Sequence, residues 1–287
     1  GRRSLCPTRP AGLRHVRSPR MSHRGPSGFG LVALPFERSA GPDTGVRHAP
    51  RILLDELARH DTFDFELGCD PIAGHPRRIL TPHDEHLVDP IIQQTVAATT
   101  VNELLLQRMF VLCIGGEHTI SLGPLLAASS HGDIGVVQLD SRANLRGRIG
   151  EPVYERETIM MRISEMGIPT LTAGIRRLHA EEAAFIHQHR LKTVSAEDIG
   201  ASTNWYALVD RMPARIYLTV DMSYFDNGPS WEDTVSFLDY LFMRRQVVAC
   251  DITEIPTGPD DGVALRTALR LLVRLTGLGM QAFPASR

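Results

Sequence analysis

One stretch of the sequence, residues 134–144, places three polar side chains directly after a short apolar, β-branched run. Such a run is typical of a strand that is buried on both faces. Asp140, Arg142 and Asn144 follow it at alternate positions, and residues two apart on an extended chain point the same way. We therefore expect these three side chains to converge at the carboxyl end of a parallel strand, where open α/β sheets keep their sites.

Three further apolar runs end in polar residues in the same way. These residues are Glu117 and His118, then Asp221, Ser223 and Asp226, and finally Asp251 and Glu254. The carboxyl ends of parallel strands are neighbours in space, and carboxylates gathered with an imidazole suit a hard or borderline divalent metal. The alternative is that these residues only cap the helices that follow the strands. Spacing alone leaves both interpretations open.

The elements that must position these residues alternate between strands and helices. Predicted strands cover residues 30–36, 110–114, 134–139, 170–173, 193–195, 215–220 and 246–251. Predicted helices cover residues 49–59, 88–108, 120–129, 155–166, 179–189, 205–211, 231–243 and 263–275. This alternation indicates repeated right-handed βαβ units and a parallel sheet covered on both faces. Residues 60–86 are polar and Pro-rich, and we expect them to be irregular.

The composition is ordinary for a globular protein and excludes several classes of function. Seven arginines and no acidic residue precede Glu37, so the rest of the 287-residue chain is acidic and offers no body suited to nucleic acid. No apolar run is long enough to span a bilayer, so we expect no membrane partner. Four scattered cysteines without a C-x-x-C pair suggest a reducing compartment, which favours the cytoplasm.

The first 28 residues are rich in Arg, Pro, Ser and Gly, and we expect them to be disordered. Residues 29–287 show no linker and are predicted to form a single domain. Met21 is an alternative start of the chain. A transit peptide, and with it the mitochondrial matrix, is a second possibility because such peptides are Arg-rich and poor in acidic residues. However, Pro10, Pro19 and Pro26 would interrupt an amphipathic helix.

Several motifs resemble the signatures of the ureohydrolases, the family that contains arginase, agmatinase and formimidoylglutamase. They are Leu-Pro-Phe-Glu-Arg (34–38), Gly-Gly-Glu-His (115–118), Leu-Asp-Ser-Arg-Ala-Asn-Leu-Arg (139–146), Ala-Gly-Ile-Arg-Arg-Leu (173–178), Thr-Val-Asp-Met-Ser-Tyr-Phe-Asp (219–226) and Asp-Ile-Thr-Glu-Ile-Pro (251–256). The details look most like the agmatinase branch. The resemblance implies a three-layer α-β-α arginase-like fold with a central parallel sheet of about eight strands. It also implies two manganese ions whose shared water attacks a guanidinium carbon and releases urea.

The resemblance also shows which metal ligands this chain has lost. The six ligand positions of the family fall on His118, Asp140, Arg142, Asn144, Asp221 and Ser223. Only His118, Asp140 and Asp221 keep a ligating type, because arginine has no lone pair to offer and the other two replacements are neutral. An arginine facing a divalent ion at about 4 Å would cost on the order of 8 kcal/mol at an effective dielectric near 20. We therefore expect one manganese ion or none.

Three other positions have roles that the resemblance suggests. Glu254 matches the glutamate that holds the substrate guanidinium, so it is a candidate for both catalysis and substrate binding. Asp226 is the last aspartate of its motif and a second candidate catalytic residue. Arg156 stands where the family often carries a histidine that assists proton transfer, and we assign it to substrate binding.

Two functional hypotheses follow. In the first, the chain is a degenerate ureohydrolase in which Arg142 pairs with Asp140 and Asp221 in place of metal. It would bind a small guanidino compound or act as a non-catalytic subunit, either in a homo-oligomer (a trimer or hexamer) or beside an active relative. In the second, the chain is an active hydrolase of a linear amidine with one metal ion, and Asp226 or Glu117 is recruited as a further ligand.

Arg176 and Arg177 follow the predicted strand at residues 170–173. They could meet an anionic group, but we expect salt bridges to Glu181 or Glu182.

Overall fold

The computed structural model describes residues 25–38, 44–82, 89–147, 154–201 and 205–281. The predicted disordered segment 1–28 therefore lies outside the described residues up to residue 24, as does Met21. Near its end, Ser27 donates a backbone hydrogen bond of 2.9 Å to the carbonyl oxygen of Arg108, just before a strand of the sheet.

Eight parallel strands form one sheet in the order β2-β1-β3-β8-β7-β4-β5-β6. In chain order they are β1 (Phe29–Leu34), β2 (Arg77–Leu80), β3 (Phe110–Gly115), β4 (Gly135–Leu139), β5 (Thr170–Ile175), β6 (Lys192–Ser195), β7 (Arg215–Asp221) and β8 (Gln246–Thr253). Every residue of β1, β3 and β4 is buried, which explains their uninterrupted apolar runs.

Helices cover both faces of the sheet, which gives the three-layer α-β-α fold that the resemblance implies. They are α1 (Ala49–Arg59), α2 (Pro90–Leu106), α3 (Leu122–Ser129), α4 (Ile159–Glu165), α5 (Ala180–His189), α6 (Ala196–Ala201), α7 (Trp205–Asp210), α8 (Trp231–Arg244) and α9 (Gly262–Gln281). Alternate residues of a strand serve opposite cores: Leu112 belongs to one apolar cluster and Val111 to the other. The predicted fold class and the strand number are thus confirmed.

Two predicted segments differ from the structure. Residues 60–86 are not irregular throughout, because β2 lies within them and pairs with β1 at the edge of the sheet. The predicted helix 155–166 begins as a 3₁₀ turn, Arg156–Thr158, before α4. Helix α6, a six-residue helix between β6 and α7, was not predicted from the sequence.

The last helix, α9, carries a buried charge. The Arg274 side chain is 1% exposed, and its guanidinium lies 3.0 Å from the carboxylate of Asp64 and 2.7 Å from that of Asp239. No helix among the described residues has the length and apolar character to cross a membrane.

Candidate functional site

The candidate site lies at the carboxyl ends of four neighbouring strands, β3, β8, β7 and β4. His118 begins a 3₁₀ turn after β3, Asp140 follows β4, Asp221 is the last residue of β7 and Glu254 follows β8. Parallel pairing brings these four ends to the same edge of the sheet. The predicted convergence of the four polar groups is therefore confirmed for these residues.

The backbone at the site has features that few residue types allow. A Cβ atom at Gly116 would overlap the carbonyl oxygen of Phe36, so the second glycine of the Gly-Gly motif cannot carry a side chain there. Asn144 and Glu254 adopt left-handed backbone with φ of 53° and 54°. Asparagine tolerates this region, whereas a glutamate there costs on the order of 1 kcal/mol, and such strain gathers at functional sites.

His118, Asp140 and Asp221 form a tight buried cluster. His118 Nδ1 lies 3.3 Å from Asp140 Oδ2 and 3.3 Å from Asp221 Oδ2. One potential ligand atom from each residue lies within 4.8 Å of the other two. Within the described parts of the chain, no other group of three or more His, Cys, Asp or Glu side chains meets that condition.

The His118 ring is held on both sides. Nε2 lies 2.9 Å from the Thr219 hydroxyl, and Nδ1 faces the two carboxylates. Burial alone lowers the pKa of His118, but the hydrogen bonds and charges of Asp140 and Asp221 outweigh it and raise that pKa well above its usual value. In the metal-free protein the two carboxylates therefore favour the charged form of His118, which lies between them where a metal ion would be expected.

Besides His118, four neutral donors from the chain hydrogen-bond to the Asp140 carboxylate. Asn144 Nδ2 and Gln138 Nε2 donate to Oδ2 at 2.6 and 2.9 Å. The Arg142 backbone N–H and the Ser223 hydroxyl donate to Oδ1 at 2.9 and 3.3 Å. Both oxygens of Asp140 are thus satisfied by neutral groups, which compete with a metal ion for the same lone pairs.

Gln138 is a site residue that the sequence reasoning missed. It lies in β4, is fully buried, and its amide oxygen accepts a hydrogen bond of 2.9 Å from the Thr172 hydroxyl on β5. A glutamine inside an otherwise apolar run is the signal that could have revealed it, because buried polar groups require partners.

Ser223 fills space beside the cluster without adding charge. Its backbone N–H donates to Asp221 Oδ1 at 2.8 Å, and its hydroxyl lies 2.8 Å from the Ser141 hydroxyl. A serine hydroxyl hydrogen-bonds to the neighbouring carboxylates, whereas a carboxylate at this position would repel them.

The predicted pairing of Arg142 with Asp140 and Asp221 is wrong. The Arg142 side chain is exposed, and among the described residues it forms an ion pair with neither aspartate. Its backbone N–H caps Asp140 instead, so the chain turns after Asp140 and the alternation of an extended strand stops there. The expected repulsion between Arg142 and a bound metal therefore has no basis in this geometry.

Glu254 is engaged by a guanidinium of the chain itself. Its Oε1 accepts the His118 backbone N–H at 3.0 Å, and its Oε2 lies 3.2 Å from the nearest guanidinium nitrogen of Arg156. Burial and the charge of Asp221 raise the pKa of Glu254 to about 7, against the opposing effect of Arg156. Glu254 and Arg156 are thus partners of each other at the edge of the cluster.

Two predicted candidates lie apart from the cluster. Asp226 is exposed, and its carbonyl oxygen, like that of Ser223, accepts a hydrogen bond from Arg176. The buried Glu117 carboxylate accepts from the Thr119 hydroxyl at 2.6 Å and from the Arg38 backbone at 2.8 Å. Neither carboxylate belongs to the group of potential metal ligands found among the described residues.

The predicted salt bridges of Arg176 and Arg177 are not formed within the described parts of the chain. Arg176 instead holds the loop after β7 through carbonyl oxygens, and Arg177 is exposed. Glu182 is buried and uses its carboxylate for backbone N–H groups.

The donor set suits a divalent metal ion. One imidazole nitrogen and carboxylate oxygens from two aspartates converge, which is a mixture of ligands that manganese or zinc accepts. A second ion would need further carboxylates to neutralise its charge. Beside Asp140, the amide of Asn144 and the hydroxyl of Ser223 supply no charge.

The chain belongs to the arginase family, because residues 27–277 match the model of that family. It is 26% identical to the N(1)-aminopropylagmatine ureohydrolase of Synechocystis, over 86% of this chain and 87% of that protein. It is 23% identical to the agmatinase of Pyrococcus horikoshii, over 86% of this chain and 90% of that protein. The resemblance seen in the motifs is thus confirmed at the level of the family and of likeness to agmatinase.

Solved structures share the fold at lower identity. The agmatine ureohydrolase of Thermoplasma volcanium superposes with a TM-score of 0.71 at 18% identity, over 88% of this chain and 90% of its own. The formimidoylglutamase of Bacillus subtilis gives a TM-score of 0.76 at 19% identity, over 96% and 97% of the two chains. These likenesses establish the arginase-like fold of this chain.

Proposed function

We propose that this chain is an agmatinase-like member of the arginase family with an incomplete metal site. It holds at most one manganese ion, through His118, Asp140 and Asp221, and it releases little or no urea from guanidino compounds. A manganese ion at this site would supply a Lewis acid and an activated water. What the chain itself provides is a buried cluster in which His118 and neutral hydrogen-bond donors already partner the carboxylates.

The observation that carries the proposal is the set of neutral donors around Asp140. A metal ion must displace the hydrogen bonds from Asn144 and Ser223 to reach the Asp140 carboxylate. The protonated His118 must also lose its proton before Nδ1 can ligate, and its raised pKa opposes that loss. Both effects weaken the binding of a first ion. Neither Asn144 nor Ser223 supplies a charged ligand for a second ion.

The Arg156–Glu254 pair adds independent support. A guanidino substrate would have to compete with the Arg156 guanidinium for the Glu254 carboxylate. The remaining role of the chain is then to bind a small molecule or to act as a non-catalytic subunit. We propose assembly as a trimer or hexamer of itself, or with an active relative.

The test is metal content by elemental analysis after dialysis against Mn²⁺ and then against metal-free buffer. One equivalent or less per chain is the expected result for the wild type, and Asp221→Ala is expected to abolish any binding. Glu232→Ala, which changes an exposed acidic residue on α8, serves as the control and retains the wild-type content. Two equivalents in the wild type would contradict the proposal.

A second candidate function rests on the intact trio itself. Because His118, Asp140 and Asp221 still converge, one ion could support hydrolysis of an agmatine-type linear amidine to amine and urea. The two relatives described above, an agmatinase and an N(1)-aminopropylagmatine ureohydrolase, support that class of substrate. This alternative predicts urea from agmatine when Mn²⁺ is added, and loss of that activity in Asp221→Ala.

A further inference from the structure

A small pocket opens beside the cluster of His118, Asp140 and Asp221. Asn144 lines this pocket and also hydrogen-bonds to Asp140. The pocket has a volume of about 170 Å³. Arg142 and Arg177 line it from the loops after β4 and β5, where their backbones form an isolated parallel bridge. Two arginines from neighbouring strand ends therefore border the same small space.

The acidic groups of this pocket already have partners. The Glu157 carboxylate lies 2.6 Å from the Arg146 guanidinium. The two oxygens of the buried Glu182 accept the backbone N–H groups of Leu145 and His179, each at 3.0 Å. Neither glutamate forms an ion pair with the two arginines that face the pocket.

The guanidinium groups of Arg142 and Arg177 remain available. Both side chains are exposed, and among the described residues neither guanidinium forms an ion pair or a hydrogen bond. Two like charges on one pocket repel each other, and a bound anion relieves that repulsion. The planar fork of a guanidinium matches a carboxylate, which it binds through two parallel hydrogen bonds.

We infer that this pocket binds the carboxylate group of a small ligand through Arg142 and Arg177. The volume of the pocket matches a short organic acid. The inference rests on the proposed function and deepens it: the small molecule that binds at this site carries a carboxylate at one end rather than an amine. Its test needs neither metal nor hydrolysis, so the two proposals can fail separately.

Isothermal titration calorimetry of the metal-free protein, with a chelator present, compares two probes. 4-Guanidinobutyrate and agmatine share a guanidino group on a short carbon chain and differ by a carboxylate in place of an ammonium. We expect 4-guanidinobutyrate to bind at least about tenfold more tightly, and increasing salt to reduce the difference because the arginines are exposed. Equal binding of the two probes, tighter binding of agmatine, or no binding of 4-guanidinobutyrate at millimolar concentration would overturn the inference.

Variants assign the effect to the pocket. Arg142→Gln and Arg177→Gln are each expected to weaken 4-guanidinobutyrate binding about fivefold or more, since each removes a charge-assisted pair. Arg51→Gln removes an exposed arginine of α1, far along the chain from the pocket loops, and should leave binding unchanged. Unaltered binding in both pocket variants would contradict the assignment. Inorganic phosphate is the third probe, and tighter binding of phosphate than of 4-guanidinobutyrate would overturn the choice of carboxylate.

Discussion

The nearest guanidinium nitrogen of Arg156 lies 3.2 Å from the carboxylate of Glu254, so the chain supplies its own guanidinium to this buried acid. The two residues are 98 positions apart: Arg156 begins the 3₁₀ turn before α4, and Glu254 follows β8. The Glu254 side chain is only 12% exposed, and an external guanidino compound would have to compete with Arg156 for its carboxylate.

Replacement of Arg156 should therefore open the site to guanidinium groups. We expect Arg156→Ala to bind methylguanidinium at least about fivefold more tightly than the wild type, because a charge-assisted pair no longer competes for Glu254. Calorimetric titration of the metal-free protein measures this. Arg146→Ala breaks the exposed pair with Glu157 and is the matched control, with no expected gain. An affinity for methylguanidinium that is the same in Arg156→Ala and in the wild type would show that Arg156 does not block the acid.

Replacing the three altered positions with the ligand residues of the family should allow a second metal ion to bind. The triple variant Arg142→His, Asn144→Asp and Ser223→Asp is expected to hold two Mn²⁺ per chain by elemental analysis, because it restores two carboxylates beside the existing trio and an imidazole at position 142. Arg142→His alone should stay at one equivalent or less. Thermal unfolding with and without Mn²⁺ shows whether the triple variant is folded. A folded triple variant with no more metal than the wild type would refute the ligand assignment.

The ionisation of Glu254 should make the stability of the metal-free protein depend on pH. Burial raises its pKa from 4.5 to about 7, so the folded state keeps a proton that the unfolded state has released. The resulting stabilisation is fully present below pH 4.5 and is lost as the pH rises to about 7. The side chain of Glu254→Gln cannot ionise, so this variant does not lose stability from that position as the pH rises.

Urea unfolding at a series of pH values measures this effect. Across that window, the free energy of unfolding of the wild type should fall relative to Glu254→Gln by on the order of 3 kcal/mol. Glu232→Gln, on the exposed face of α8, should follow the wild-type pH dependence. A constant difference between wild type and Glu254→Gln would argue against a raised pKa at this position.

The buried ion pair of α9 should be important for stability. Arg274→Ala leaves the Asp64 carboxylate, 3% exposed, without its partner, and we expect a loss of about 3–5 kcal/mol in the free energy of unfolding. Arg59→Ala removes an exposed partner of Glu56 on α1 and should cost about 1 kcal/mol or less. Denaturant unfolding compares the two variants, and equal losses would mean that the buried pair has no special role.

The elements around the site could be predicted because apolar periodicity defines them. Helix α1 spans residues 49–59 as expected, and each of the four site strands follows a predicted apolar run. Strand β2 escaped prediction because it is a four-residue edge strand, Arg-Arg-Ile-Leu, with three exposed residues. It carries no alternation that separates it from a loop, and only its pairing with β1 makes it a strand.

The site itself could be predicted in part. Asp140 and Asn144 do meet, at 2.6 Å, but Arg142 between them does not join them. The alternation rule holds only for extended backbone, and here the Asp140 side chain captures the Arg142 N–H and bends the chain. The Arg156–Glu254 pair depends on tertiary folding, and no local pattern in the sequence encodes it.

The left-handed backbone at Asn144 also limits what this position can become. With a φ of 53°, the loop accepts glycine, asparagine and aspartate far more readily than other residues. Aspartate differs from the resident asparagine by one oxygen in place of one amide nitrogen, and it needs no new loop conformation. An aspartate at position 144 would therefore fit the backbone conformation that the loop already has. A single codon change from asparagine to aspartate would restore a negative charge there.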